Sequence, residues 1–157
     1  GTVLSYLNII LAELLPRGQF ATMLYGVIDP KNNTFKYSSA GAPDLILGGE
    51  RHEEDLAVTK VEWNSLPLGV DRDFIYPTRE VTIPDGGFLF LHSDALMEMP
   101  NHVGSILEGK GVIRLVEKSV KNAAYANPLH AVIQNFRGEK PQPLGDDLTM
   151  VWVKFAG

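Results

Sequence analysis

Aspartates stand at two places in this sequence where an apolar run begins or ends. Phe88-Leu89-Phe90-Leu91 is followed by His92-Ser93-Asp94, and Gly145-Asp146-Asp147 precedes Met150-Val151-Trp152-Val153. Four consecutive bulky apolar residues suit a strand buried on both faces, so Asp94 is delivered at the mouth of a rigid element. If the two strands are neighbours, their acidic ends meet in one cleft. Carboxylates gathered there repel one another unless a cation lies between them. Oxygen-only ligands favour a hard ion such as Mg²⁺ or Mn²⁺ over zinc. Plainer roles stay open beside this one. Asp94 can cap a short helical turn through Ala95–Met99, with Glu98 in its first turn. Asp146-Asp147 after Gly145 can be an acidic turn. His92 reads as a hydrogen-bonded residue at the rim of the core. His52, His102 and His130 have no paired spacing, so a zinc site is not supported.

The rest of the composition narrows the class. With 157 residues, 45% hydrophobic and 21% charged, the chain reads as one ordinary globular domain able to bury roughly two-thirds of its unfolded surface. A net charge of −5 without a basic cluster argues against nucleic acid. The absence of cysteine excludes disulfides and thiolate metal sites and fits a reducing cytoplasm. No apolar stretch reaches the length of a membrane span, and the first apolar segment lacks a basic leader, so no membrane association is expected. Asn32-Asn33-Thr34 has the form of a glycosylation sequon and reads instead as part of a turn.

The elements that would carry these residues follow from periodicity. Val3, Leu7, Ile10, Leu11 and Leu14 recur at helical spacing over residues 3–15, and Pro16-Arg17-Gly18 ends the segment. Phe20–Asp29 and Thr34–Ala40, joined by Pro30-Lys31-Asn32-Asn33, predict a β-hairpin. Asp44–Leu47 offers a short strand before Gly48-Gly49, and Glu50–Asp55 an exposed turn in which Glu53-Glu54-Asp55 is solvated. Ala57–Trp63 and Phe74–Ile83 read as strands flanking the apolar loop Leu66–Val70. Pro84-Asp85-Gly86-Gly87 then turns the chain into Phe88–His92. A helix is predicted over Gly111–Lys121, burying Val112, Leu115, Val116, Ser119 and Val120. A second starts with Asn127 as cap and Pro128 as its first residue, burying Leu129, Val132, Ile133 and Phe136. Gly138–Pro143 is a polar loop. Met97 and Met99 pack by default. Hairpins with helices grouped apart predict an α+β fold with a mainly antiparallel sheet.

In this order, Phe20-Ala21-Thr22-Met23-Leu24-Tyr25-Gly26-Val27-Ile28-Asp29, Tyr37-Ser38-Ser39-Ala40-Gly41, Leu66-Pro67-Leu68-Gly69, Ser93-Asp94-Ala95 with Glu98, and Asp146-Asp147-Leu148-Thr149 resemble the metal-dependent serine/threonine phosphatases of the SpoIIE/RsbU type, in the PPM superfamily. The resemblance runs from about residue 3 to the end. It implies an antiparallel β-sandwich with flanking helices and a two-metal Mn²⁺ or Mg²⁺ site at one edge of the sheets. Asp94 and Asp146 match metal-binding aspartates, and Asp147 the second position of the family's Asp-Asp or Asp-Asn pair. Two cations activate water, so the resemblance calls for no side-chain nucleophile.

Three departures from the family pattern accompany it. The early Gly-Asp-x-x-Gly-His-Gly segment is not in this sequence, so a partial domain lacking its first strands is expected. Asp94-Ala95 replaces the usual Asp-Gly, and alanine disfavours a left-handed loop. Gly41-Ala42 replaces the common Gly-His. The resemblance implies hydrolysis of phosphoserine or phosphothreonine on a protein such as an anti-sigma-factor antagonist of bacterial signalling. Its alternative is a pseudophosphatase adaptor, the output domain of a response regulator that binds a protein partner without catalysis. If the missing segment carries strands, this chain has unpaired sheet edges, and a homodimer, strand exchange or poor solubility is expected.

Overall fold

The computed structural model describes residues 1–50, 56–121, 127–139 and 143–155. In chain order its elements are α1 (Thr2–Leu14), β1 (Met23–Asp29), β2 (Thr34–Ala40), β3 (Leu45–Glu50), β4 (Leu56–Val61), β5 (Arg79–Thr82), β6 (Phe88–His92), α2 (Ala95–Glu98), α3 (Gly109–Lys121), α4 (Pro128–Arg137) and β7 (Met150–Lys154). They fall into two compact units, Gly1–Ala42 with Glu62–Ile83, and Pro43–Val61 with Pro84–Gly157. Each has its own antiparallel sheet, so the expected α+β class holds. The proposed exposed turn at 51–55, with its acidic run and His52, lies outside the described residues, as does 140–142 of the polar loop. Among the described residues no helix is long and apolar enough to cross a membrane.

In the first unit the sheet order is β1-β2-β5. The predicted hairpin is present, with Met23 opposite Ala40 and Asp29 opposite Thr34. Asp29 closes its turn: Oδ1 accepts from the Lys31 and Asn32 amides (2.9 and 3.3 Å) and Oδ2 from Asn32 Nδ2 (2.7 Å). These donors hold the Asp29 carboxyl below its ordinary value, the Asn32 side chain most of all. On one face Phe35 and Tyr37 stack at 5.1 Å, and a Cβ on Gly26 would meet the Phe35 ring at 2.3 Å. Only glycine fits there.

Helix α1 forms where expected but buries a different stripe. Leu4 and Asn8 face inward, whereas Val3 and Leu14 are 42% and 72% exposed. The polar side chain is admitted because it is fully paired. Asn8 Nδ2 donates to the carbonyls of Asp71 (2.7 Å) and Arg72 (3.2 Å), and Oδ1 accepts from Gly69 N at 2.8 Å. The expected strand over Phe74–Ile83 shrinks to β5. Tyr76 N bonds the Ser5 hydroxyl (3.0 Å) and Pro77 has no N–H, so the chain cannot continue the ladder there.

The second unit has the sheet order β4-β3-β6-β7. Strand β3 runs on through Gly48-Gly49, which the sequence reading took as a break. A Cβ on Gly48 would strike the Phe88 ring at 2.1 Å and one on Gly49 would strike Pro84 at 2.6 Å. These glycines admit bulky neighbours rather than ending the strand. Phe88, Leu89 and Phe90 are buried, and Trp152 stacks on Phe88 with centroids 3.9 Å apart. Val112, Leu115 and Val116 of α3 and Val132 and Phe136 of α4 complete this core, with Met99 buried and Met97 packed against it. Truncating Phe90 to alanine would cost about 3–5 kcal/mol. Helix α4 starts as predicted, with the Asn127 side chain accepting from Leu129 N at 3.0 Å ahead of Pro128.

Candidate metal-binding site

Strands β6 and β7 are direct neighbours, with His92 opposite Met150. Beyond that pair the ladder is continued by Ser93. Its N–H donates to Thr149 O at 2.9 Å, its hydroxyl donates to Asp147 O at 3.2 Å, and it accepts from Thr149 N at 3.0 Å. The end of β6, carrying Asp94, is thereby tied to the segment that carries Asp146 and Asp147. All three carboxylates are exposed.

Asp94 also caps α2. Its Oδ1 accepts from Ala95 N at 3.0 Å, and its carbonyl accepts from the Met97 and Glu98 amides at 2.7 and 2.9 Å. Asp146 Oδ1 accepts from Asp147 N at 2.7 Å. The Asp94 and Asp146 carboxylates thus each have one oxygen turned to local backbone. Ala95 enters the helix, and Asn33 is the one non-glycine with positive φ among the described residues. The Asp94-Ala95 departure is therefore met by a right-handed turn without left-handed strain.

Half-buried His92 stacks near Phe90, with ring centroids 5.6 Å apart. Its Nδ1 lies 2.9 Å from Ser93 O. A carbonyl only accepts, so Nδ1 carries the proton. Burial pushes the imidazole below its ordinary value, with the Ser93 carbonyl, Asp44 and Asp94 opposing. His102 Nδ1 is directed at Phe136 O (3.3 Å) and His130 is exposed. Among the described residues no three His, Asp or Glu side chains are grouped to hold an ion.

Sequence reasoning missed two parts of this site. Ser93 joins the segments that carry the two acidic ends, and a run of consecutive apolar residues carries no signal for such a link. A cavity of about 730 Å³ also opens beside Asp146, lined by Glu98, Met99, His102, Arg137 and Leu144 among others. Its wall includes the end of α4, which only the folded chain brings to the segment around Asp146.

The helices and antiparallel sheets match the fold of PP2C-type phosphatase domains. The chain belongs to the Stage II sporulation protein E (SpoIIE) family, whose model matches residues 1–156. The manganese-presoaked phosphatase domain of SpoIIE from Bacillus subtilis is 20% identical with a TM-score of 0.63, over 99% of this chain and 65% of that one. The RsbU and RsbW domains of a Mycobacterium tuberculosis protein are 21% identical with a TM-score of 0.68, over 94% of this chain and 40% of theirs. RsbX in complex with magnesium is 17% identical with a TM-score of 0.63, over 99% of this chain and 64% of that one. The chain therefore spans less than two thirds of the length of these structures. No curated protein matches it.

Proposed function

We propose that this chain carries one side of the metal site of a protein serine/threonine phosphatase, with Asp94 and Asp146 as ligands and Asp147 beside them. The observation that carries this reading is the Ser93 link, which ties the end of β6, where Asp94 follows, to the backbone of the segment that carries Asp146 and Asp147. The donors fit a hard divalent ion in kind, since all are exposed carboxylate oxygens. They amount to part of a ligand set. Manganese and magnesium in the related structures support the choice of ion. When bound, such ions supply an activated water and neutralise phosphoryl oxygens. This chain's residues hold the carboxylates in place through Ser93 and the α2 cap. The cavity beside Asp146 gives room for the residues flanking a phosphoserine or phosphothreonine, and an anti-sigma-factor antagonist in the cytoplasm is the proposed substrate.

One observation favours a second reading. Asp94 is already engaged as a helix cap, which a pseudophosphatase adaptor, such as a response-regulator output domain, would need for folding alone. In the complete phosphatase domain, Asp94→Asn and Asp146→Asn separate the two. Asparagine caps nearly as well as aspartate but lacks the charge that holds a cation. Calorimetric titration should show Mn²⁺ affinity lowered about tenfold or more in both variants, with the metal-free melt little changed. Unchanged affinity in both would remove the metal-site reading and leave the adaptor.

A further inference from the structure

We propose that the outer face of α3 is an electrostatic docking surface for an acidic segment of another protein. Every exposed position of α3 carries a cation: Lys110, Arg114, Lys118 and Lys121. Their spacing sets them in one row along the helix, with about 6 Å of rise from Lys110 to Arg114 and again to Lys118. The row is not a run in the sequence, because the apolar residues that pack inward separate its members. Other basic side chains are already neutralised. Lys36 pairs with Glu80, Lys60 with Asp44 and Arg72 with Glu13, each at 3.1 Å, and Arg79 lies over Trp63. Among the described residues Lys110, Arg114 and Lys118 make no ion pair. The one acid of α3, Glu117, is half-buried. Like charges four residues apart weaken a helix, so the row costs α3 stability that facing carboxylates would restore.

The chemistry of the partner follows from the composition of this face. Lysine and arginine are almost never fully buried unless paired, so the row suits water or an anion and no apolar cover. Val112, Leu115 and Val116 are packed into the core, which leaves α3 nothing to insert into a lipid surface. The chain as a whole carries −5, and that charge repels the extended anionic surface of a bilayer or a nucleic-acid duplex. A short acidic segment meets only the row itself, since exposed charges beyond about 8 Å are screened at physiological salt. A helix with Asp or Glu at every fourth position has the same rise of about 6 Å between charges and matches the row turn by turn. Exposed charge pairs add little affinity but steer and orient an approaching protein. Docking here is therefore weak, fast and sensitive to salt.

NMR titration of the isotope-labelled chain tests this, with a helical peptide bearing glutamate at every fourth position as the probe. At low salt the amide signals of Lys110, Arg114 and Lys118 should shift, with a dissociation constant of about 1 mM. Physiological salt should weaken binding several-fold. Lys110→Glu, Arg114→Glu and Lys118→Glu together should abolish the shifts while the circular dichroism stays that of the parent. The corresponding triple glutamine variant removes charge without adding repulsion, and should raise the dissociation constant about tenfold even if the first variant fails to fold. Absent shifts, shifts confined to other elements, or shifts that persist in both variants overturn the proposal. Sedimentation of the chain with phosphatidylglycerol vesicles, or retention on a DNA duplex, while the peptide leaves α3 unshifted, overturns it too, by making the face a lipid or nucleic-acid site.

Discussion

Ser93 and Thr149 hold each other in both directions: the Ser93 amide donates to the Thr149 carbonyl at 2.9 Å, and the Thr149 amide donates to the Ser93 hydroxyl at 3.0 Å. The same hydroxyl donates to the Asp147 carbonyl. Ser93→Ala removes both side-chain bonds and leaves the backbone one. Urea unfolding should show a loss of about 1–2 kcal/mol. Mn²⁺ binding should weaken as well, although the mutated residue is not a proposed ligand. A variant with lost stability but unaltered Mn²⁺ affinity would show that the link serves folding only.

Asn8 makes a sharper stability test. It is fully buried and spans helix α1 and the 69–72 segment through three short hydrogen bonds. Asn8→Ala strands buried backbone groups, at about 1–3 kcal/mol for each one left unsatisfied. A total loss of about 2–4 kcal/mol is expected. Chemical denaturation followed through the first unit would detect it, and a change below about 0.5 kcal/mol would rule out this role.

The hairpin turn predicts a pH dependence. Asp29 has its carboxyl below the ordinary 3.8 because three donors stabilise the anion. The folded state therefore binds that proton less readily than the unfolded state. Its contribution is present above the ordinary carboxylate value and is lost as pH falls through the lower folded one. Asp29→Ala should be less stable than the parent near neutrality, and the gap should narrow in strong acid. Parallel denaturation series at neutral and acidic pH measure it; a constant gap would mean that the charge of Asp29 does not matter to the turn.

Activity of the chain alone should be weak. Three exposed aspartates make an incomplete set for two cations, and losing ligands weakens both capture of metal and activation of water. With p-nitrophenyl phosphate and excess Mn²⁺, little or no turnover is expected. Robust turnover abolished by EDTA would mean that the carboxylates present suffice.

The sequence made some of this legible and hid the rest for physical reasons. The hairpin, β6, α3 and α4 could be read because turn residues, a helix cap and apolar periodicity act locally. The adjacency of β6 and β7 was only conditional, since strand pairing depends on the whole sheet. Asn8 escaped notice because a polar residue on a helix reads as solvent-facing until its loop carbonyls are in place. Gly48 and Gly49 read as a break because what fills their space, Phe88 and Pro84, comes from far along the chain. Asp94 was open to two readings in the sequence, and the fold realises the capping one directly.

The two tryptophans are divided between the units, Trp63 in one and Trp152 in the other. Each is embedded in a distinct aromatic setting. Arg79 lies 4.4 Å from the Trp63 ring centroid and Tyr37 is nearby, while Trp152 stacks on Phe88. The molecule therefore carries its own pair of optical reporters. Replacing either indole with phenylalanine would leave a single emitter. Comparing the two emission curves during unfolding would reveal whether both halves melt together or in succession, without any added dye.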